Sequence, residues 1–263
     1  MPVFQNPRCY AAELGGCSKD ISAEHFFSRG ILELLDDGPG FNVSGFPWQQ
    51  FGSVPQPSVA SLTARILCIK HNSDLSPLDD ECLKLFHFFE EADKKLGNKR
   101  FTGLGSYEVS GEALERWMLK ALVGVLASGN AAKDDQRFLK SKPPLAWLQL
   151  LYGHEPMPER WGLYLSYELG ERVMGTKQLT FAPLIHEIKV IGALCHIHGF
   201  RFLLAMTAPG EDRRGSLLES ALYRPAHLAF SHKGRSCSVQ LGFKWNGGND
   251  GQGLEISYED KKT

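Results

Sequence analysis

Two short stretches of this chain carry the residue types that bind metal and move protons. Ser22-Ala23-Glu24-His25 sets a carboxylate beside an imidazole, and Leu67-Cys68-Ile69-Lys70-His71-Asn72 sets a thiol and an imidazole three residues apart with an amide directly after. Cys9 and Cys17 lie just upstream. Zinc in a structural site takes four tetrahedral N or S ligands, and a C-x2-H pair at the start of a helix places both side chains toward one ion. Cys9 and Cys17 would close that shell from a loop holding Gly15 and Gly16. Each cysteine taken singly is as well explained as a small buried apolar residue. Together with His71, the three make a ligand set.

Glu24, His25 and Asn72 suit a different task. Hydrolysis of a phosphodiester needs an activated water and a charge to balance the leaving oxygen; a neutral histidine supplies the first and a hard divalent cation the second. Oxygen donors suit Mg²⁺ or Mn²⁺, so Glu24 and Asn72 are expected to hold that catalytic ion while His25 acts as general base. Glu24 and Asn72 are equally good turn or helix-cap residues around a zinc knuckle. Both roles stay open at this point.

The arrangement Cys9 … Cys17 … Glu24-His25 … Cys68-x2-His71-Asn72 resembles the HNH, or ββα-metal, endonucleases, and particularly the subgroup similar to recombination endonuclease VII. Here His71 stands where that subgroup has a last cysteine. The likeness spans roughly residues 9 to 80. It implies an HNH-type endonuclease, a hydrolase with structural Zn²⁺ at Cys9, Cys17, Cys68 and His71. It also implies a catalytic Mg²⁺ or Mn²⁺ at Glu24 and Asn72 and nucleic acid, DNA first, as substrate. Arg29, Arg65 and Lys70 are the expected phosphate contacts. The alternative from another class is a non-catalytic, zinc-stabilised protein that retains the HNH-like fold and binds nucleic acid or a protein.

Composition constrains this chemistry. The 263 residues are 43% hydrophobic and 22% charged, ordinary for a globular protein with a real core. A formal net charge of −1 is no broad basic footprint of the kind that grips phosphate backbones. Residues 1 to 100 carry 10 Lys plus Arg against 13 Asp plus Glu. Contacts to nucleic acid must therefore be local or metal-mediated. A basic run, Arg116, Lys120, Lys133, Arg137, Lys140 and Lys142, reads as a solvated helix face. The first residues lack a basic and apolar leader pattern and no stretch is long and apolar enough for a membrane span, so a cytoplasmic protein with reduced thiols is expected. Cys82, Cys195 and Cys237 are expected to be buried apolar residues.

These groups must be positioned by an α+β fold: an N-terminal zinc-stabilised ββα-metal (HNH-like) domain over residues 1–100, then an α+β domain over 108–263, helices first and an antiparallel sheet after. The second domain is expected to recognise a substrate or a protein partner. Residues 36–60, with Pro39, Pro47, Pro55 and Pro57, read as loop or short hairpin, and 61–68 as a strand. Leu78, Cys82, Leu85, Phe86 and Phe89 predict an amphipathic helix from Pro77 to Leu96, capped by Ser76. Gly103 to Gly111 reads as a linker. Leu114, Trp117, Met118, Ala121, Leu122 and Val125 predict the next helix, a short one follows near 145–151, and strands are expected at 161–167, 186–196, 200–206, 226–230, 236–245 and 254–258. His196 and His198 could share a strand face as a second metal pair.

Overall fold

A computed structural model of the chain describes residues 4–35, 63–129, 132–133, 136–137, 142–168, 177–187, 189–208 and 218–259. The loop expected over 36–60 lies outside these residues, as does Lys140. The fold is mixed α and β. A 3-10 turn at Ala12–Leu14 precedes β1 (Ile21–His25) and the short helix α1 (Arg29–Leu35). Strand β2 (Thr63–Cys68) lies antiparallel to β1, with Ile21 opposite Cys68 and His25 opposite Thr63. It runs without a linker into α2 (Ile69–Gly97).

Helix α2 begins eight residues before the Pro77 start predicted from its periodicity, and Ser76 does not cap it. The reason is visible in the buried face. His71, Leu75 and Leu78 continue the spacing of Cys82, Leu85 and Phe89 back through the proline, so the apolar stripe starts at the first turn. The helix entry is secured from outside: the Asp20 carbonyl accepts the Ile69 amide at 3.0 Å, and Ser18 Oγ accepts the Lys70 amide at 3.2 Å. Ser18 thus satisfies a first-turn donor that Cys68, at the N-cap, leaves open.

The expected linker is a strand, β3 (Gly103–Ser110). Its glycines hide its nature in the sequence, because it is held by its backbone ladder to a distant strand more than by apolar side chains. Helix α3 (Gly111–Ser128) follows; Ser110 Oγ accepts the Ala113 amide at 3.2 Å, and Gly129 closes the helix in the left-handed conformation at φ 77°. Beyond it come the two-residue strands β4 (Ala132–Lys133) and β5 (Gln136–Arg137) and helix α4 (Leu145–Leu151). Then follow β6 (Gly162–Ser166), β7 (Leu179–His186), β8 (Lys189–Ile197), β9 (Phe200–Ala205), β10 (Ala221–Tyr223), β11 (His227–His232), β12 (Cys237–Lys244) and β13 (Gly253–Tyr258).

Two sheets replace the single antiparallel sheet expected here. One, in the order β10-β6-β9-β8-β7, is antiparallel throughout. The other, β13-β11-β12-β3, is mixed: β11 and β12 are antiparallel, while β13 and β3 join its two edges in parallel. Both helix faces and both sheets meet in one apolar cluster that includes Phe26, Phe27, Phe86, Phe89, Trp117, Phe181, Phe200 and Phe230. The boundary read near residues 100–108 takes in most of β3, and the core runs on across it.

Phe89 lies at the middle of that core, stacked on Phe200 with centroids 5.1 Å apart. Phe89→Ala is expected to cost about 3–5 kcal/mol, the range for truncating a buried aromatic. Leu104→Ala, on the 65% exposed Leu104 of β3, should leave the melting temperature nearly unchanged. Thermal denaturation of the two variants beside wild type measures the difference.

Candidate functional site

The residues around Cys9 and Cys17 form a knuckle that owes its shape to a few polar contacts. Buried Asn6 donates its side-chain amide to the Lys19 carbonyl at 2.7 Å and accepts the Arg8 amide at 3.1 Å, which ties the two ends of the loop together. Gly15 and Gly16 both have positive φ, 78° and 68°. That backbone is open to glycine at little cost, and it turns the chain back so that Cys17 faces Cys9. On the other side, Cys68 ends β2 and His71 sits in the first turn of α2.

These four side chains converge. His71 Nδ1 lies 3.3 Å from Cys68 Sγ, 3.4 Å from Cys9 Sγ and 3.7 Å from Cys17 Sγ, and all four donor atoms fall within 4.8 Å of one another. A tetrahedral zinc with Zn–S near 2.3 Å and Zn–N near 2.0 Å sets N and S roughly 3.6 Å apart. The spacing therefore fits a single ion, and the Cys9, Cys17, Cys68 and His71 cluster can hold a metal such as zinc. Protonation favours the same end. Burial lowers the His71 pKa and keeps its ring neutral. Burial opposes ionisation of Cys68, but hydrogen bonds from the His71 backbone and from Ser18 outweigh it and hold that thiol below its ordinary value. Cys9 is pushed up to about 12 by burial, a cost that a bound cation would offset. Behind the ring, Tyr152 packs edge-on with centroids 5.4 Å apart and donates its hydroxyl to the His71 carbonyl at 3.1 Å. That contact fixes the turn from which the imidazole projects.

Glu24, His25 and Asn72, the expected catalytic residues, are not gathered in the same way. His25 ends β1, half-buried, and its pKa is lowered by burial and then by the charges of Arg29 and Lys120. It is a neutral imidazole at pH 7. Asn72 is half-buried beside His71. Glu24, however, points inward: it is 3% exposed, and its Oε1 lies 3.0 Å from Lys120 Nζ. The same ammonium bonds both carboxylate oxygens of Asp79, at 2.8 and 2.7 Å. Ser28 Oγ donates to Asp79 Oδ1 at 2.7 Å and accepts from Trp117 Nε1 at 3.1 Å. Asp79 stands seven residues beyond Asn72, about 10 Å along the same side of the helix. So the partner facing Glu24 across the interior is Asp79.

Lys120 thus corrects the solvated-face reading of the basic run at that position: its side chain is 3% exposed, while Arg116 is half-buried and Lys142 exposed. The sequence did hold a signal. Leu119-Lys120-Ala121-Leu122-Val123 lies in a helix that is apolar all round, and a lysine there must be paired to be buried at all. The neighbouring charge Glu115 is treated likewise, bonded to Arg224 Nε at 2.9 Å and to the Leu163 amide at 3.0 Å.

Of the expected phosphate contacts, Arg29 pairs with Glu33 at 2.7 Å and Lys70 with Asp74 at 2.6 Å, both exposed i, i+4 pairs that contribute little to stability. Arg65 is exposed and lines a cleft of about 590 Å³ with Arg8, Cys9, Tyr10 and Lys142. His196 and His198 do not form a metal pair: His196 bonds Thr180 Oγ1 at 2.9 Å, while His198 is buried between Phe86 and Phe89. Cys82, Cys195 and Cys237 are buried as expected, and all six cysteines are free of disulfides. Among the described residues no helix is long and apolar enough to cross a membrane.

No protein-family model, no curated protein and no solved structure matches this chain at a significant level. The cluster can be tested directly with Co²⁺. Metal-free protein is expected to bind one Co²⁺ with the intense d–d and thiolate charge-transfer bands of a tetrahedral site of three sulfurs and one nitrogen, and Zn²⁺ should bleach them. Cys68→Ser should weaken Co²⁺ binding by at least about 100-fold, and chelation of the metal should lower the melting temperature.

Proposed function

We propose that this chain is a zinc-stabilised, metal-dependent endonuclease that hydrolyses phosphodiester bonds, with DNA as the first candidate substrate. The zinc at Cys9, Cys17, Cys68 and His71 is structural and pins the β1–β2 pair to the start of α2. His25 is the general base. Glu24 and Asn72 supply oxygen donors to a catalytic Mg²⁺ or Mn²⁺, which balances charge on the leaving oxygen when bound.

One observation carries the proposal. The four donors meet at the junction of β2 and α2, so that Asn72, directly after the last of them, and Glu24-His25, at the end of the paired strand, belong to one small strand–strand–helix unit. The HNH resemblance implies two strands and a helix around such a site; here α1 stands between the two strands in the chain. A neutral, half-buried His25 supports its part as base. Arg65 and Arg8 give local positive charge to a cleft whose third cation, Lys142, is paired with Glu13 on the same wall. The sheets beyond α3 would present the substrate or a protein partner.

A non-catalytic, zinc-stabilised binding protein is favoured by a different observation, the inward turn of the Glu24 carboxylate to Lys120. Plasmid cleavage separates the two. Zinc-loaded protein with Mg²⁺ or Mn²⁺ is expected to nick or cut plasmid, and His25→Ala to slow this by about 100-fold or more, the usual share of a general base. Equal cutting by both proteins, or cutting by neither, would sink the nuclease reading. Binding of plasmid without cutting would leave the second.

A further inference from the structure

A cleft of about 590 Å³ opens beside the zinc knuckle, and four separate parts of the chain wall it. Residues 5–13 form one side, β2 supplies Arg65 and Ile66, α3 reaches it near its end at Ala127, and Pro143 closes it ahead of α4. The loop docks on β2 through the Tyr10 amide, which donates to the Ile66 carbonyl at 2.9 Å, so Arg8 and Arg65 ride on fixed backbone.

Floor and mouth differ in kind. Tyr10, Ala12, Ile66, Ala127 and Pro143 are buried and make an apolar floor with one aromatic member. Arg8 and Arg65 stand exposed at the mouth, and among the described residues neither guanidinium is paired with an acid. Lys142 is held by Glu13 and adds no free charge. A bare inorganic anion makes no use of such a floor, and an apolar ligand makes none of the guanidiniums. A nucleotide unit matches both, with its phosphate on the arginines and its base on the floor.

Size and charge select the form of that nucleotide. The volume lies within the roughly 300–1,000 Å³ of sites that enclose one small organic ligand, so the cleft takes one unit and not a length of helix. Bases stacked and paired in a duplex cannot reach the floor, whereas an unpaired base can. Two guanidiniums on a chain of net charge −1 neutralise about two phosphates, too few to track a duplex backbone. The β1–β2 register then links the cleft to His25. Thr63 lies opposite His25, and Arg65 follows two residues along β2. Residues two apart on a strand share a face about 7 Å apart, a step of about one to two nucleotides.

We propose that this cleft seats one unpaired nucleotide of the substrate strand, Arg8 and Arg65 holding its phosphate and the apolar floor its base, so that the chain acts on single-stranded nucleic acid. The proposal rests on the nuclease reading and adds the strandedness of the substrate and the place where it is gripped.

Zinc-loaded wild type and Arg8→Gln/Arg65→Gln are titrated, without Mg²⁺ or Mn²⁺, with three fluorescein-labelled DNA probes of equal length: a single strand, its duplex, and an abasic single strand. Fluorescence anisotropy reads the binding. Wild type is expected to bind the intact single strand about tenfold or more tightly than either other probe. Its affinity should fall with salt at a logarithmic slope of about −1.4, which corresponds to about two phosphates of a single strand. The double variant should lose about tenfold or more of that affinity and most of the slope. Both arginines are exposed, so its melting temperature should match that of wild type. Duplex or abasic strand bound as tightly as the intact single strand overturns the proposal, as does a double variant that binds like wild type or a single strand that does not bind at all. The nuclease reading stands apart from these results. A protein that passes here yet cuts no plasmid keeps the cleft and loses the nuclease, and one that fails here yet cuts supercoiled plasmid does the reverse.

Discussion

The convergence of three sulfurs and one ring nitrogen at the β2–α2 junction is the constraint from which the N-terminal third takes its form. None of the pieces it joins would persist alone. The loop before β1 holds no regular element longer than a three-residue 3-10 turn, β1 and β2 are five and six residues long, and a two-stranded ladder is marginal in water. Drawn to one point, the donors fix the loop against the strand end and define the first turn of α2. That helix, once started at Ile69, is long enough to reach from the knuckle across both sheets, because its buried face runs unbroken from His71 to Leu96. The cluster therefore determines where the largest element begins, and with it which residues of α2 face inward.

Helix α3 answers the second demand, that two poorly matched halves share one core. It is buried on nearly every side, yet carries two buried charges, and each is directed to a different neighbour. Glu115 binds Arg224 and the start of β6. Lys120 binds the acids of β1 and α2. Buried ion pairs stabilise little compared with apolar residues of the same volume, but an unpaired member is severely destabilising, so such pairs select one arrangement over its alternatives. Gly162 shows how close the fit is. It has φ 99°, and a Cβ there would strike the Glu115 carboxylate.

Much of this is legible in the sequence, and the limits have physical causes. Cys9, Cys17, Cys68 and His71 can be named as a set because thiol and imidazole chemistry at short spacing has few other uses. The helices at α2, α3 and α4 follow from apolar spacing, as do most strands. Strand β3 is hidden because its residues Gly103 and Gly105 carry no pattern, and its partner is remote. The start of α2 is harder to place, because Pro77 argues for a helix start while the apolar stripe on either side of it argues for a helix interior. Asp79 and Lys120 read, by spacing alone, as a helix-start acid and a surface cation. Their meeting depends on how two helices pack, and no local spacing encodes that.

The parallel pairing of β3 with β12 has a consequence in time. Gly103 lies beside Cys237 and Ser110 beside Lys244, while β13, which flanks β11 in the same sheet, ends at Tyr258. During synthesis the N-terminal strands, α2 and α3 all emerge before the strands that must cover them. Until those C-terminal strands appear, β3 has an open edge, and the aromatic face of α2 at Phe88 and Phe89 lacks Phe230. Contacts this distant along the chain close slowly and expose apolar surface meanwhile. Loss of the C-terminal segment would therefore strip the roof from the first long helix to form, a long way from the residues deleted.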